Sequence, residues 1–175
     1  MERAVESWRP PADAPDLARA LRSCLGRFAT GVCVITFAGE DGPRGLTLNS
    51  FTSVSMDPPL VLISIARTAR AHAALVDRPF CVNVLGAEQQ PLAQCFAGGP
   101  RQAIAWIEEP ERAPRLPGVL AHLACRPYRA YEGGDHTLFL GEVAGFDYRH
   151  GEALGYHAGG YTSIGEPALG VEHLL

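Results

Sequence analysis

Apolar residues recur along this chain at two periods, and the switch between them marks the elements. Leu17, Leu21, Leu25 and Phe28 return every three or four positions with arginines on the other side. That spacing predicts an amphipathic helix docked on the core, with Asp13 as its N-cap and Asp16 in its first turn. Residues 32–37 read as a buried strand and 39–43 as a turn into a second strand reaching Leu48, a hairpin. The continuous apolar, β-branched run 60–65 predicts a central strand. Thr68 is placed to cap a short helix through Leu75 and Val76, Pro79 ends it, and 80–85 resumes strand pattern. A helix over 88–96 turns Leu92, Cys95 and Phe96 toward the core and stops at Gly98-Gly99-Pro100. Residues 101–118, with Pro110, Pro114, Pro117 and mixed charge around Trp106, predict an extended loop that could lie as a lid over a site. Long β-type runs follow at 121–131 and 137–148, joined by 132–136, with a shorter one near 153–156.

Between two of these apolar runs lies a polar segment, 46–59, with the hydroxyls of Thr47, Ser50, Thr52, Ser53 and Ser55 and the amide of Asn49. It reads as a polar loop built into a core, ended by Asp57-Pro58-Pro59. Buried polar groups need partners, because each unpaired one costs a few kcal/mol. Two readings stand: a Ser/Thr-rich turn satisfied by itself, or a grip on a ligand. Hydroxyls and amides suit a neutral heteroaromatic edge and a phosphate, whereas a metal calls for histidine, cysteine or carboxylates.

Six or seven strands with a few short helices, no regular βαβ alternation and no G-x-G-x-x-G after a strand argue against a Rossmann sheet. The expectation is a mainly β chain with short helices, a small antiparallel barrel with helical plugs. One domain is expected over 13–163, between a loose tail at 1–12 and a C-terminal tail at 164–175. With 47% apolar and 19% charged residues and no long apolar run, nothing predicts a membrane span. Met1 is followed by Glu2, Trp8, Pro10 and Pro11 without a basic or apolar leader, so a cytoplasmic location is expected. The five cysteines, Cys24, Cys33, Cys81, Cys95 and Cys125, are widely spaced in apolar surroundings and read as reduced core thiols.

The chain contains no lysine, so all fifteen basic residues are arginine. A Walker phosphate loop, a pyridoxal-phosphate aldimine and other Schiff-base chemistry are thereby excluded. A net charge of -4 without a basic block argues against nucleic acid as a partner. No nucleophile elbow is present. The histidines lack metal-ligand spacing, and a cluster of His136, His150 and His157 with Asp135 and Glu142 is a weak candidate, so no metal is expected. What remains is a site of hydroxyls, amides, glycines and arginine, suited to a cofactor that brings its own chemistry, such as a flavin.

Four stretches carry a family resemblance: Arg27-Phe28-Ala29-Thr30-Gly31-Val32, the long run from Leu48-Asn49-Ser50-Phe51 through Asp57-Pro58-Pro59-Leu60, the segment Phe80-Cys81-Val82-Asn83-Val84-Leu85, and Gly134-Asp135-His136. In that order they resemble the short-chain flavin reductases over about residues 15–163. The resemblance implies a flavin-binding split β-barrel, a Greek-key antiparallel barrel, assembled as a homodimer. It also implies reduction of FMN or FAD by NADH or NADPH, and delivery of reduced flavin to a separate flavin-dependent monooxygenase. By the same resemblance Thr30, Gly31, Val32, Leu48, Asn49 and Ser50 line the isoalloxazine, and Ser53, Val54 and Ser55 approach the ribityl and phosphate end. Arg67 and Thr68 are placed to neutralise phosphate. His136 stands near the nicotinamide as a positioning group, and Gly160 and Tyr161 close the nicotinamide side. The chain departs from the family pattern at Ala158 and Gly159, where a basic residue more often precedes the final tyrosine, and at 101–104. The alternative is the same barrel holding flavin or heme as a sensor or electron carrier; a third reading passes electrons to a quinone or ferric chelate.

Overall fold

The computed structural model describes residues 16–166; the Asp13 cap and the arm over 1–12 lie outside them. The first helix is α1 (Leu17–Leu25), capped by Asp16, whose Oδ1 accepts from the Ala18 N–H at 2.9 Å. Asp16 is therefore the cap itself and not a first-turn residue. Three strands lead on: β1 (Thr30–Gly31), β2 (Cys33–Gly39) and β3 (Gly42–Leu48). Then come β4 (Thr52–Met56), β5 (Pro59–Ala66), α2 (His72–Leu75), β6 (Phe80–Val84), a 3-10 turn at Ala87–Gln89 and α3 (Gln90–Phe96). The chain ends in β7 (Ala121–Gly133), β8 (His136–Tyr148), β9 (Ala153–His157) and β10 (Gly160–Ile164).

The fold is mainly β with short helices, as expected, and every strand pair is antiparallel. Seven strands form one sheet in the order β3-β2-β6-β7-β8-β5-β4, and β1-β9-β10 form a second. Three backbone bonds stitch the sheets together. Val32 N–H donates to Leu154 O, Leu85 N–H to Val32 O, and Leu154 N–H to Leu85 O.

The predicted 32–37 strand is buried on both faces. Cys33, Ile35 and Phe37 alternate into one core with Val61, Ile63, Ile65, Phe80, Val82 and Phe139. Val32 and Val34 face a second core with Leu85, Ala93, Leu116, Val119 and Leu154. The 3-10 turn and α3 cover this outer face of the sheet, as the 88–96 expectation required. Phe96 lies against Gly45 so closely that a Cβ there would meet its ring at 2.8 Å. Thr47 Oγ1 donates to Ala93 O at 2.7 Å from the same strand.

Four expectations need correction. The apolar stripe of α1 is not docked: no residue of the helix is buried, and Leu17, Leu21, Leu25 and Phe28 are all exposed, Phe28 to 79%. Periodicity shows that a face will be covered but not by what. The polar segment is not a loop inside the core. Residues 52–56 form the edge strand β4, mostly exposed, with its hydroxyls in water. This places 60–65 one strand in from the edge. Thr68 caps nothing: α2 begins four residues later behind Ala71, after two successive turns, with Ala69 N–H bonded to Ala66 O and His72 N–H to Ala69 O.

The fourth correction concerns residues 101–118, which are a packed strap and not a lid. Ile107 and Arg115 bridge, Leu116 is fully buried, and Trp106 meets Phe96 edge-on at 5.8 Å. Asn83 fastens the strap. Its Nδ2 donates to Val34 O and Thr36 Oγ1, each at 2.9 Å, and its Oδ1 accepts from Leu116 N–H at 2.9 Å. Thr36 in turn donates to Pro114 O.

Candidate functional site

The Asp16-capped helix delivers its C-terminal turn to the rim of a cleft of about 460 Å³. Arg19 and Arg22 from α1, with Arg27 and Phe28 just after it, form one wall. Thr30, Asn49, Tyr156 and the turn Ala158-Gly159 form the other. The helix end is tied to that turn, because Ala158 N–H donates to Gly26 O at 2.8 Å. Ala158 and Gly159 both hold positive φ, 49° and 85°, the requirement of the tight hairpin that joins β9 to β10. Among the described residues, three arginines and no carboxylate, thiol or imidazole line this cleft. The Thr30 hydroxyl is buried there with no hydrogen-bond partner among the described residues.

A second group of predicted residues gathers at the turn that carries His136. The register of β5 against β8 sets Ala66 opposite His136, and Arg67 N–H donates to Asp135 O at 2.9 Å. The Arg67 guanidinium leans toward Gly134 O at 3.5 Å. His136 Nδ1 is 2.7 Å from Asp135 Oδ1. The carboxylate can only accept, so Nδ1 carries the proton. This hydrogen bond, then the imidazole's charge, holds the Asp135 carboxyl below the ordinary aspartate range, and Arg22 adds to the effect.

The other predicted residues divide by what their polar groups already do. Gly31 pairs with Gly155 on the open end of β1. Val32 is a core residue whose N–H and C=O both join the sheets, so it offers no free group to a ring edge. Leu48 packs half-buried against the interior core. The Ser50 hydroxyl is committed to β5, donating to Ser64 O at 2.9 Å and accepting from Ser64 N–H at 3.1 Å. Ser53, Val54 and Ser55 lie on the outer edge strand, and Ser55 Oγ accepts from Asp57 N–H. Thr68 is exposed beside Arg67. Gly160 opens β10, and Tyr161 packs against the second core, edge-on to Tyr156 at 5.4 Å. Burial, with the neighbouring Tyr156, pushes the Tyr161 phenol above its usual range.

The sequence of the flavin reductase like domain family matches residues 25–165. The chain belongs to this family. It is 46% identical over 145 residues to the NADH-dependent FAD reductase of Streptomyces globisporus, covering 77% of this chain and 79% of that protein. It is 39% identical over 154 residues to the reductase subunit HsaB of a flavin-dependent monooxygenase of Rhodococcus jostii, covering 83% and 77%. Among solved structures it matches the Streptomyces globisporus NADH:FAD oxidoreductase SgcE6 with a TM-score of 0.81 at 41% identity, over 92% of this chain and 96% of that one.

The flavin reductase cleft fits a flavin on its own chemistry. An unpartnered Thr30 hydroxyl and the exposed Asn49 amide can satisfy a heteroaromatic edge, and guanidinium groups suit phosphate. The motif residues Thr30 and Asn49 both line the cleft; Ser50, Ser53, Val54 and Ser55 are not among its lining residues. Arg19 and Arg22 were legible only as the solvent side of a helix, and Arg27 only as the opening of a family motif. Their spacing, with Arg19 and Arg22 three apart on α1, puts two of them on one face, a signal that the apolar stripe masked.

Proposed function

We propose that this flavin reductase like protein oxidises NADH or NADPH and reduces FMN or FAD, which it releases to a separate monooxygenase. The observation that carries the reading is the cleft itself: arginines, a buried unpartnered hydroxyl and an amide, with no carboxylate, thiol or imidazole lining it among the described residues. Such a lining binds and orients; it does not react. When bound, the flavin supplies the redox chemistry by accepting a hydride from the nicotinamide. Thr30, Gly31 and Asn49 hold the ring edge, and Arg67 with Thr68 or the α1 arginines meet phosphate. His136 presents Nε2 to the dinucleotide as a positioning group, held by Asp135. Catalysis on this reading comes from alignment of the two rings at reactive distance.

The relatives' names favour NADH over NADPH and a monooxygenase as the acceptor of reduced flavin. The uncovered face of α1, where Leu17, Leu21 and Leu25 are exposed, supports a homodimer. Among the described residues no helix is long and apolar enough to cross a membrane, and a cytoplasmic site of action accompanies this reading.

The test is a steady-state matrix of FMN and FAD against NADH and NADPH, followed at 340 nm and repeated with His136→Ala. Turnover in at least one combination is expected, with NADH preferred. The variant should raise the dinucleotide KM about tenfold with a smaller change in kcat. No turnover in any combination overturns the activity, and an unchanged KM overturns the role of His136.

A further inference from the structure

We propose that Arg19, Arg22 and Arg27 form a diphosphate seat, and that this seat makes the protein favour a dinucleotide over the corresponding mononucleotide. The inference rests on the flavin reductase reading in taking that dinucleotide to be FAD or NADH. Two observations carry it. First, Arg19, Arg22 and Arg27 line one cleft, and among the described residues no carboxylate lines it with them. Like charges gathered in one cleft repel, and an anion relieves this cost. Guanidinium forks match phosphate oxygens in pairs, so several together fit a pyrophosphate better than a single phosphate ester.

Second, the cleft is more than a charged patch. Its volume, about 460 Å³, is of the size of small-molecule sites, roughly 300–1,000 Å³. The exposed Phe28 ring and the half-buried Tyr156 flank the arginines and offer flat apolar surface to a purine. Arg19 and Arg22 stand on α1 and Arg27 just beyond it, while the Ala158-Gly159 turn across the cleft supplies no cation.

FMN and nicotinamide mononucleotide lack the pyrophosphate and adenylate half, and this separates the two candidate occupants. The experiment titrates FAD, FMN, NAD⁺ and nicotinamide mononucleotide into the wild type and into Arg19→Gln/Arg22→Gln, by calorimetry or fluorescence. Both positions are exposed on a helix, and glutamine preserves helix propensity. A Kd for FAD that rises about tenfold while that for FMN moves less than twofold assigns the seat to the flavin. The same split between NAD⁺ and the mononucleotide assigns it to the nicotinamide partner; both splits together show a seat used by each in turn. Added salt should weaken the wild type's dinucleotide affinity more than the variant's. Arg44→Gln, outside the cleft, should change none of these affinities. Should the double variant lose α1, Arg27→Gln alone, beyond the helix, makes the same comparison. Equal weakening of FAD and FMN, or no weakening of either dinucleotide, overturns the proposal. Wild-type turnover of NADH with FMN reports on the reductase reading by itself, so the two can fail separately.

Discussion

The Asn83 amide donates to β2 at Val34 and Thr36 and accepts from the strap at Leu116, all without exposure to water. Replacing it with leucine keeps the volume but leaves the Leu116 N–H and the Val34 carbonyl without their amide partner in a dry core. Each such orphan costs about 1–3 kcal/mol, so Asn83→Leu should lower unfolding stability by roughly 2–4 kcal/mol in urea melts. A loss below about 0.5 kcal/mol would show that the strap holds without this pin. The sequence placed Asn83 on a strand between apolar neighbours but could not say that its face is covered, because alternation marks a polar face and not what lies over it. The same blindness hid the arginine wall. Arg19 and Arg22 look like the wet side of an amphipathic helix until tertiary packing turns that side toward Asn49 and Tyr156. Thr30 and Asn49 were legible through motif alone, since nothing local distinguishes them from ordinary turn residues.

At the scale of elements, hairpins were the most legible part of the fold. The β2–β3 and β7–β8 pairs were readable because β-type runs are separated by short glycine-bearing turns, at Gly39–Gly42 and Gly133–Gly134. The edge strand β4 was lost because its serines and threonine mimic a loop; only pairing to β5 makes it a strand. The two-residue β1 and the closing β10 are too short or too polar to announce themselves. Helix α1 was read correctly as amphipathic and wrongly as docked. Its stripe of Leu17, Leu21 and Leu25 needs a cover, and a second copy of the chain is the cover that the proposed dimer supplies. Leu21→Glu places a charge in the middle of that stripe. The variant should run as a monomer by light scattering where the wild type runs as a dimer, with near-native far-UV circular dichroism. A wild-type monomer, or a variant dimer, would remove the helix from the interface.

For the whole molecule, the absence of lysine and the burial of thiols together set the response to alkali. Burial pushes Cys33, Cys81 and Cys125 each up to about 12 from an ordinary 9.0. Folded-state values raised above the unfolded ones mean that the native chain holds protons that the unfolded chain releases. The stabilisation is therefore complete below about pH 9, and it is lost progressively as pH climbs from there toward 12. The Tyr161 phenol, also raised by burial, adds to the same slope. In most proteins lysine deprotonation would confuse this window by breaking ion pairs, but arginine keeps its charge throughout it. Urea midpoints should thus stay level from pH 7 to about 8.5 and then fall, and Tyr161→Phe should remove only part of the fall. Iodoacetamide at pH 8 gives an independent reading: Cys33, Cys81 and Cys125, buried within the fold, should react only after urea is added. Alkylation of these three in the native protein, or a midpoint that does not move between pH 9 and 12, would mean that the core opens to solvent far more readily than its packing implies.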